Sequence, residues 1–458
     1  MTATSIFAFA VYISLPAAVL VLWQKVCKSR PIWMQSLDKI GLPRESKLRG
    51  TGVVCGGSIA GIVTARILAD HFQQVILVDP EFGSDEPKTR IMQYHAIHVF
   101  PSLFVTGARR LWPNFDASLR AIGGRFVPAD LQMHYSGLLL LTPYQDYPSV
   151  SYSPLAKIAL DQLRHLSPEK YSCSYNGNLN YTTICFSVPP ELEETLPVPE
   201  TLMNTVTLYA FMSHVDLGNP GLGLLKTDNH TMQLLLVAGG VELPRVASDI
   251  VPFITEMQGH APIPSWFIET VTILCELGKP SFGTFKIPSQ SYIQYHSLPP
   301  GRLPSNFVSV GDAIMQLNPV HGQGFAQVMM NGITLNALLH TVGIAGLPDD
   351  FSARYFQSNA RDCKRTVLDC TVRLLESSLG VLEHEYPDYG SSACEPMEGE
   401  TKNTGRLLRW FELKMISAAT RDVEVASALW HVRQVLAADR VLLAPKILWK
   451  ILRTPSLF

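Results

Sequence analysis

Uncharged, mostly apolar residues run from Ser5 to Trp23, and the first cations, Lys25, Lys28 and Arg30, follow directly. A run of 19 such residues is long enough to cross a bilayer as a helix. The positive-inside rule then leaves the rest of the chain in the cytosol. The pattern predicts a single N-terminal transmembrane helix with a basic flank over residues 1–30. A signal peptide and a buried helix are the alternatives; Met1–Thr4 lacks the basic segment of a signal peptide. Residues 31–50 are polar and irregular and read as a linker. From Gly52 to Glu81 the chain shows strand, turn, helix and strand in succession. A helix-like stretch, Pro154–Leu166, comes later. Residues 175–300 are rich in Thr, Val, Tyr and Phe with Pro and Gly punctuation, which predicts antiparallel strands. Phe307–Gly332 repeats the order apolar strand, glycine-rich loop, helix. From Asp350 onward the pattern is helical, apart from a polar loop at Tyr386–Gly405.

The Gly52–Glu81 unit carries the first chemistry. Val53 and Val54 end a short strand, and Gly56–Gly61 (GGSIAG) turns into a helix with Ile62, Ala65, Ile67 and Leu68 on its apolar face. Val75–Val78 is a buried parallel strand closed by Asp79. Each element suits a dinucleotide. Gly56 permits the tight turn, position 58 must let a pyrophosphate approach, and Gly61 lets the helix pack on the sheet. The helix N-terminus offers N–H groups and partial positive charge to the phosphates. Asp79 is placed to accept from a ribose 2′-OH and disfavours a 2′-phosphate. Ser58 stands where a second glycine is usual; serine is small enough to keep the approach.

The second unit, FVSVGDAIMQLNPVHGQGFAQVMMNG, runs from Phe307 to Gly332. With these residues the chain resembles the flavin monooxygenases of the aromatic-hydroxylase and squalene-epoxidase type. The resemblance implies FAD as cofactor, with Gly311 and Asp312 at the flavin ribityl chain. It also implies that Pro319, Gly322 and Gly324 bring a helix N-terminus to the isoalloxazine ring, where it would stabilise the negative charge of the reduced flavin. The segment TRIMQYHAIHVF, Thr89–Phe100, resembles the stretch after the second strand in a bacterial and fungal subgroup, which makes Arg90 and Gln93 further cofactor candidates. His95 and His98 have the spacing of a metal pair, but no third ligand lies near in sequence, so no metal is expected. The family implies NAD(P)H as reductant, O2 as oxidant and a small hydrophobic substrate.

By resemblance the fold class is α/β: a Rossmann-type FAD-binding domain with an inserted antiparallel substrate sheet, C-terminal helices and the N-terminal transmembrane helix. The divisions are 1–30 anchor, 46–170 first FAD-binding segment, 175–300 substrate sheet, 301–345 second FAD-binding segment and 346–458 helical region. The single-pass placement implies the endoplasmic reticulum, with the catalytic domain facing the cytosol and membrane lipid as a partner. One element of the family pattern has no counterpart. The meander after Pro154–Leu166 and the following D-x-x-G motif are missing, and the nearest segment, Leu234–Gly240, lacks the acid. A reduced fold, a misassembled gene model and a non-catalytic relative all remain open.

Composition narrows this further. Of 458 residues, 47% are hydrophobic and 17% charged, with a formal charge of −2. No basic stripe with interleaved aromatics appears, which argues against nucleic acid. The eight cysteines show no CxxC pairs or disulfide-like spacing, as expected of thiols in a reducing compartment. No Ser–His–Asp set or carboxylate pair stands out, and no catalytic acid or base is assigned. The tail, Asp422–Phe458, interleaves Leu and Trp with Arg433, Arg440, Lys446, Lys450 and Arg453. It reads either as a membrane-surface helix or as a helical cap on the substrate sheet.

Overall fold

A computed structural model of the chain describes residues 18–27, 29–80, 98–121, 124–128, 132–141, 148–152, 172–175, 178–203, 205–213, 220–227, 230–286, 290–299, 301–317, 322–364, 401–403 and 406–457. The first motif forms as its pattern predicts. Leu48–Cys55 and Phe72–Val78 pair in parallel, Val53 opposite Ile76 and Cys55 opposite Val78, with helix Ile59–His71 between them. Among the described residues this parallel sheet has only these two strands. Helix Gly324–Thr341 packs beside Ile59–His71. Val54, Val63, Ile67 and Leu68 join Met329, Ile333 and Leu335 in one core. The opposite side of the sheet is exposed at Val53, Ile76 and Val78, so Val75–Val78 pairs in parallel as expected but is not the buried strand that its apolar run predicts.

Two sequence expectations change here. Phe307–Val310, expected as a strand, is extended without a ladder; the Tyr355 hydroxyl donates to the Ser309 carbonyl instead (2.9 Å). Residues 31–50 are no linker. Trp33, Leu37 and Ile40 lie at helical spacing and are buried in the same core. The Trp33 indole N–H donates to the Val435 carbonyl (3.2 Å).

The predicted antiparallel sheet is present. Its seven strands run in the order Ser281–Lys286, Leu179–Ser187, Thr231–Gly239, Gly221–Lys226, Thr207–Met212, Met133–Tyr135 and Leu138–Leu139. All neighbours are antiparallel except Thr207–Met212 and Met133–Tyr135. Leu234–Gly240 therefore belongs to this sheet, as strand Thr231–Gly239 and the residue after it. One face carries Ile184, Phe186, Leu234 and Leu236 against helix Ser265–Leu277. The other gathers Tyr181, Val237, Leu179, Leu235 and Phe285.

The tail is a cap. Helices Arg406–Ala419, Val423–Arg433 and Pro445–Arg453 bury Met415, Leu429 and Ile451 together with Leu140, against Met133 and Tyr135 at the sheet's edge. The membrane placement needs correcting. No helix among the described residues is long and apolar enough to cross a membrane. The single-pass anchor and its endoplasmic-reticulum address are thereby overturned. Of the apolar N-terminal run the structure describes residues 18 onward, which are helical through 27. Just beyond it, the Arg440 guanidinium donates to the Ser29 carbonyl (3.1 Å) and Oγ (2.9 Å), tying this end to the body of the protein. Residues 1–17, Pro154–Leu166 and most of the Tyr386–Gly405 loop lie outside the described residues.

Candidate active site

The first turn is fixed by backbone contacts. Gly56 takes φ +109°, a conformation open to glycine, and its N–H donates to the Val78 carbonyl (2.8 Å). The Gly57 N–H donates to Asp79 Oδ2 (2.6 Å). Asp79 thus braces the turn from the end of the second strand, and it is buried. Gly61 has no room for a side chain, since a Cβ there would lie 1.7 Å from the Gly56 carbonyl oxygen. Ser58 occupies the N-cap of Ile59–His71 in an extended conformation, but its hydroxyl does not cap the helix. The first-turn N–H groups therefore have no side-chain cap, as an anion site at a helix start requires.

The second turn meets the first. Gly311 takes φ +58° and sits against the first helix, where a Cβ added to it would be 3.0 Å from the Ala60 Cβ. Farther along, a Cβ at Gly332 would be 2.8 Å from Ile67 Cδ1. The two motifs thus share one crevice wall. Two side chains that the sequence reading passed over hold Gly311 there. Asn331 Oδ1 accepts from its N–H (2.9 Å), and Gln327 Nε2 donates to its carbonyl (3.0 Å) and to that of Met315 (3.2 Å). A readable signal existed: Gln323, Gln327 and Asn331 recur every four residues through the start and first half of this helix, which puts three amides on one face.

Asp312 stands at the edge of this turn. Neighbouring atoms crowd its carboxyl and raise its pKa from 3.8 to about 6 by desolvation. The residue as a whole is nevertheless exposed, and the water that reaches it opposes the full shift. Gly322 and Gly324 begin the second helix, and a Cβ at either would meet nothing within 4 Å. Neither glycine is packed against another group of the protein on its Cβ side. The donor set fits a flavin nucleotide: an uncapped helix start for phosphates, carboxylates at Asp79 and Asp312 for hydroxyls, and a second open helix start for the ring. Arg90, Gln93, His95 and Pro319 lie outside the described residues, and of His98 only the backbone is described. Among the described residues no group of three metal-ligating side chains occurs.

Scans against protein-family models and curated proteins return no match. Solved structures do. HpxO from Klebsiella pneumoniae, complexed with FAD and uric acid, is 13% identical over 88% of this chain and 97% of its own, with a TM-score of 0.43. A tetrameric form of 2-methyl-3-hydroxypyridine-5-carboxylic acid oxygenase is 12% identical over 73% of this chain and 93% of its own, at 0.43. The flavin-dependent brominase Bmp2 is 10% identical over 89% of this chain and all (100%) of its own, at 0.55. The last alone is similar enough in shape to argue from. This chain has the mixed α/β fold of a flavin-dependent brominase.

Proposed function

We propose that the chain is a FAD-dependent oxidoreductase, a monooxygenase that takes a small hydrophobic substrate, with NAD(P)H as hydride donor and O2 as oxidant. The observation that carries this reading is the meeting of two glycine turns, distant in sequence, along one pair of packed helices: Gly311 on Ala60, and Gly332 on Ile67. Two helix starts are thereby available to one elongated, doubly charged ligand, and the first of them has the free N–H groups that a pyrophosphate needs.

Each residue has a task. The start of Ile59–His71 receives the pyrophosphate, and Asp79 orients that turn and takes a ribose hydroxyl. Asp312 takes the ribityl hydroxyls. The start of Gly324–Thr341 favours the reduced, anionic ring through its dipole. The flavin, when bound, supplies the redox and oxygen chemistry. The protein need only bind, orient and exclude water, which accords with the lack of an evident acid–base pair. The sheet face on which the partly buried Leu235 and Phe285 cover Tyr181 and Val237 is the side we assign to the hydrophobic substrate.

Flavin released from the purified chain by denaturation tests the assignment. Gly56→Val should block the first turn and Asp312→Ala loosen the second; unchanged flavin content in both variants would remove the basis for the site. Substrate-dependent oxygen uptake distinguishes a monooxygenase from a flavin reductase of isoprenoid double bonds. A second reading is a scaffold without turnover. It is favoured by the bare Val53, Ile76 and Val78 face of a two-stranded parallel sheet. A folded, colourless protein that takes up no added FAD would establish it.

A further inference from the structure

The outer face of the C-terminal cap is apolar and exposed. In helix Pro445–Arg453 the buried Ile451 anchors the inner side, while Trp449, on the opposite side, is 65% exposed. Exposed Leu452 follows Trp449 by three positions and Arg453 by four, and Lys446 precedes it by three, so all four share the outer face. A second set adjoins. Leu407 (74% exposed), Trp410 (45% exposed) and Lys414 fall at three- and four-residue spacing on one face of helix Arg406–Ala419. The Lys414 ammonium donates to the Thr454 carbonyl (2.6 Å), which sets that face beside the end of Pro445–Arg453. Val19, Leu20, Val21 and Leu22 are exposed as well, and Ser29, beyond them, is held by Arg440, five residues before Pro445.

Charge says what these side chains face. Pro445–Arg453 holds Lys446, Lys450 and Arg453 and no acid. Lys450 is engaged inside the cap by Asp422 and Glu424 (2.8 Å each), but the exposed Arg406 and Arg453 make no ion pair among the described residues. A two-fold contact between copies would bring these unmatched cations together. Tryptophan and leucine rimmed by cations instead suit the boundary of an anionic bilayer, where indoles sit at headgroup depth and cations meet phosphates. We propose that this face is a peripheral binding surface for anionic lipid. Trp449, Leu452, Leu407 and Trp410 enter the headgroup boundary, and Arg406 and Arg453 lie on lipid phosphates. The surface rests along the bilayer and crosses nothing, and the proposal is independent of the FAD reading.

The full-length chain is floated with vesicles of phosphatidylcholine alone or of an equal mixture of phosphatidylcholine and phosphatidylserine. Wild type, Trp449→Gln, Trp410→Gln and Arg453→Gln are compared with Leu277→Gln, a control at another exposed leucine on the helix that backs the antiparallel sheet. Wild type should float with the mixed vesicles, less with phosphatidylcholine alone, and less as salt rises. Each tryptophan variant should weaken the partition about tenfold and Arg453→Gln about fivefold. Leu277→Gln should match wild type, and unfolding midpoints should be unchanged throughout. Wild type that stays with the unbound fraction overturns the proposal, and so does flotation equal in the tryptophan variants and the control. Sedimentation without lipid supplies the last arm: a dimer that Trp449→Gln dissociates would make the face a contact between copies and overturn the lipid assignment.

Discussion

Alanine at position 61 adds one carbon where the turn has no space. Its Cβ would stand 1.7 Å from the Gly56 carbonyl oxygen and 2.8 Å from the carbonyl carbon, so the helix start or the turn must move by about 1.3 Å to reach even a 3.0 Å contact. Both partners are backbone, and no rotamer change relieves the clash. The movement pulls on two bonds that fix the turn, Gly57 N–H to Asp79 (2.6 Å) and Gly56 N–H to Val78 (2.8 Å). Overpacking costs about 1–3 kcal/mol, and weakening the two bonds adds about 1–2 kcal/mol. We expect Gly61→Ala to lose about 2–5 kcal/mol in denaturant unfolding and at least tenfold in FAD affinity by fluorescence titration. Gly332→Ala is the control. Its Cβ would meet Ile67 Cδ1 at 2.8 Å, but that atom ends a flexible side chain that can turn away, so the loss should stay under about 1.5 kcal/mol. Should Gly61→Ala unfold and bind like wild type, the tight first turn is not the cofactor's cradle.

Two further outcomes concern the support of the site. His71 is fully buried (0% exposed), and its Nε2–H donates to Asn336 Oδ1 (2.9 Å). Burial first, with His340 and Arg44 opposing the charge, lowers its pKa from 6.5 to about 4, while Asn336 and Asp70 act the other way. The folded state therefore holds neutral imidazole. Its stability is complete above pH 6.5 and lost as pH falls toward 4, by roughly 2 kcal/mol at pH 5. His71→Gln should flatten that loss in unfolding curves at pH 7.5 and 5; parallel losses in both proteins would assign the pH dependence elsewhere. Tyr355→Phe removes the bond to the Ser309 carbonyl (2.9 Å), two residues before Gly311. It should cost about 1 kcal/mol and lower FAD affinity a few-fold, and an unchanged unfolding midpoint would show that the hydroxyl does not hold this stretch.

Much of the first motif was readable because its signals are local. A glycine turn, a helix of apolar spacing and a β-rich run ending in Asp79 are all encoded within some thirty contiguous positions, and each forms where the pattern puts it. The antiparallel sheet was likewise legible from its strand-forming composition. What failed was decided by long-range contact. Phe307–Val310 has strand composition but no ladder partner, and it is held by Tyr355 from a helix some 45 residues on. The 31–50 stretch is polar overall, yet three residues at helical spacing are enough to anchor it to the core. The four-residue spacing of the amides on the second helix marks a shared face, but it does not say what that face will bond. Only the fold brings Gln327 to Gly311.

The parallel sheet is too slight to hold the crevice by itself. Its two strands bury Leu48 and Val54 on the helical side but leave Val53, Ile76 and Val78 exposed on the other, forgoing roughly 1.5 kcal/mol or more for each side chain that a full sandwich would bury. The hold comes instead from helix against helix. Val63 and Ile67 of the first pack on Gly332, whose missing side chain lets the two axes approach. Gly311 packs on Ala60 at the same wall, and Gln327 and Asn331 fasten it to the second helix. The helix starts that would receive the two ends of a flavin nucleotide are therefore positioned by a contact that does not pass through the sheet. On the proposed FAD reading, loss of flavin should follow substitutions at Gly61, Gly311 or Gln327 rather than at Val53 or Ile76.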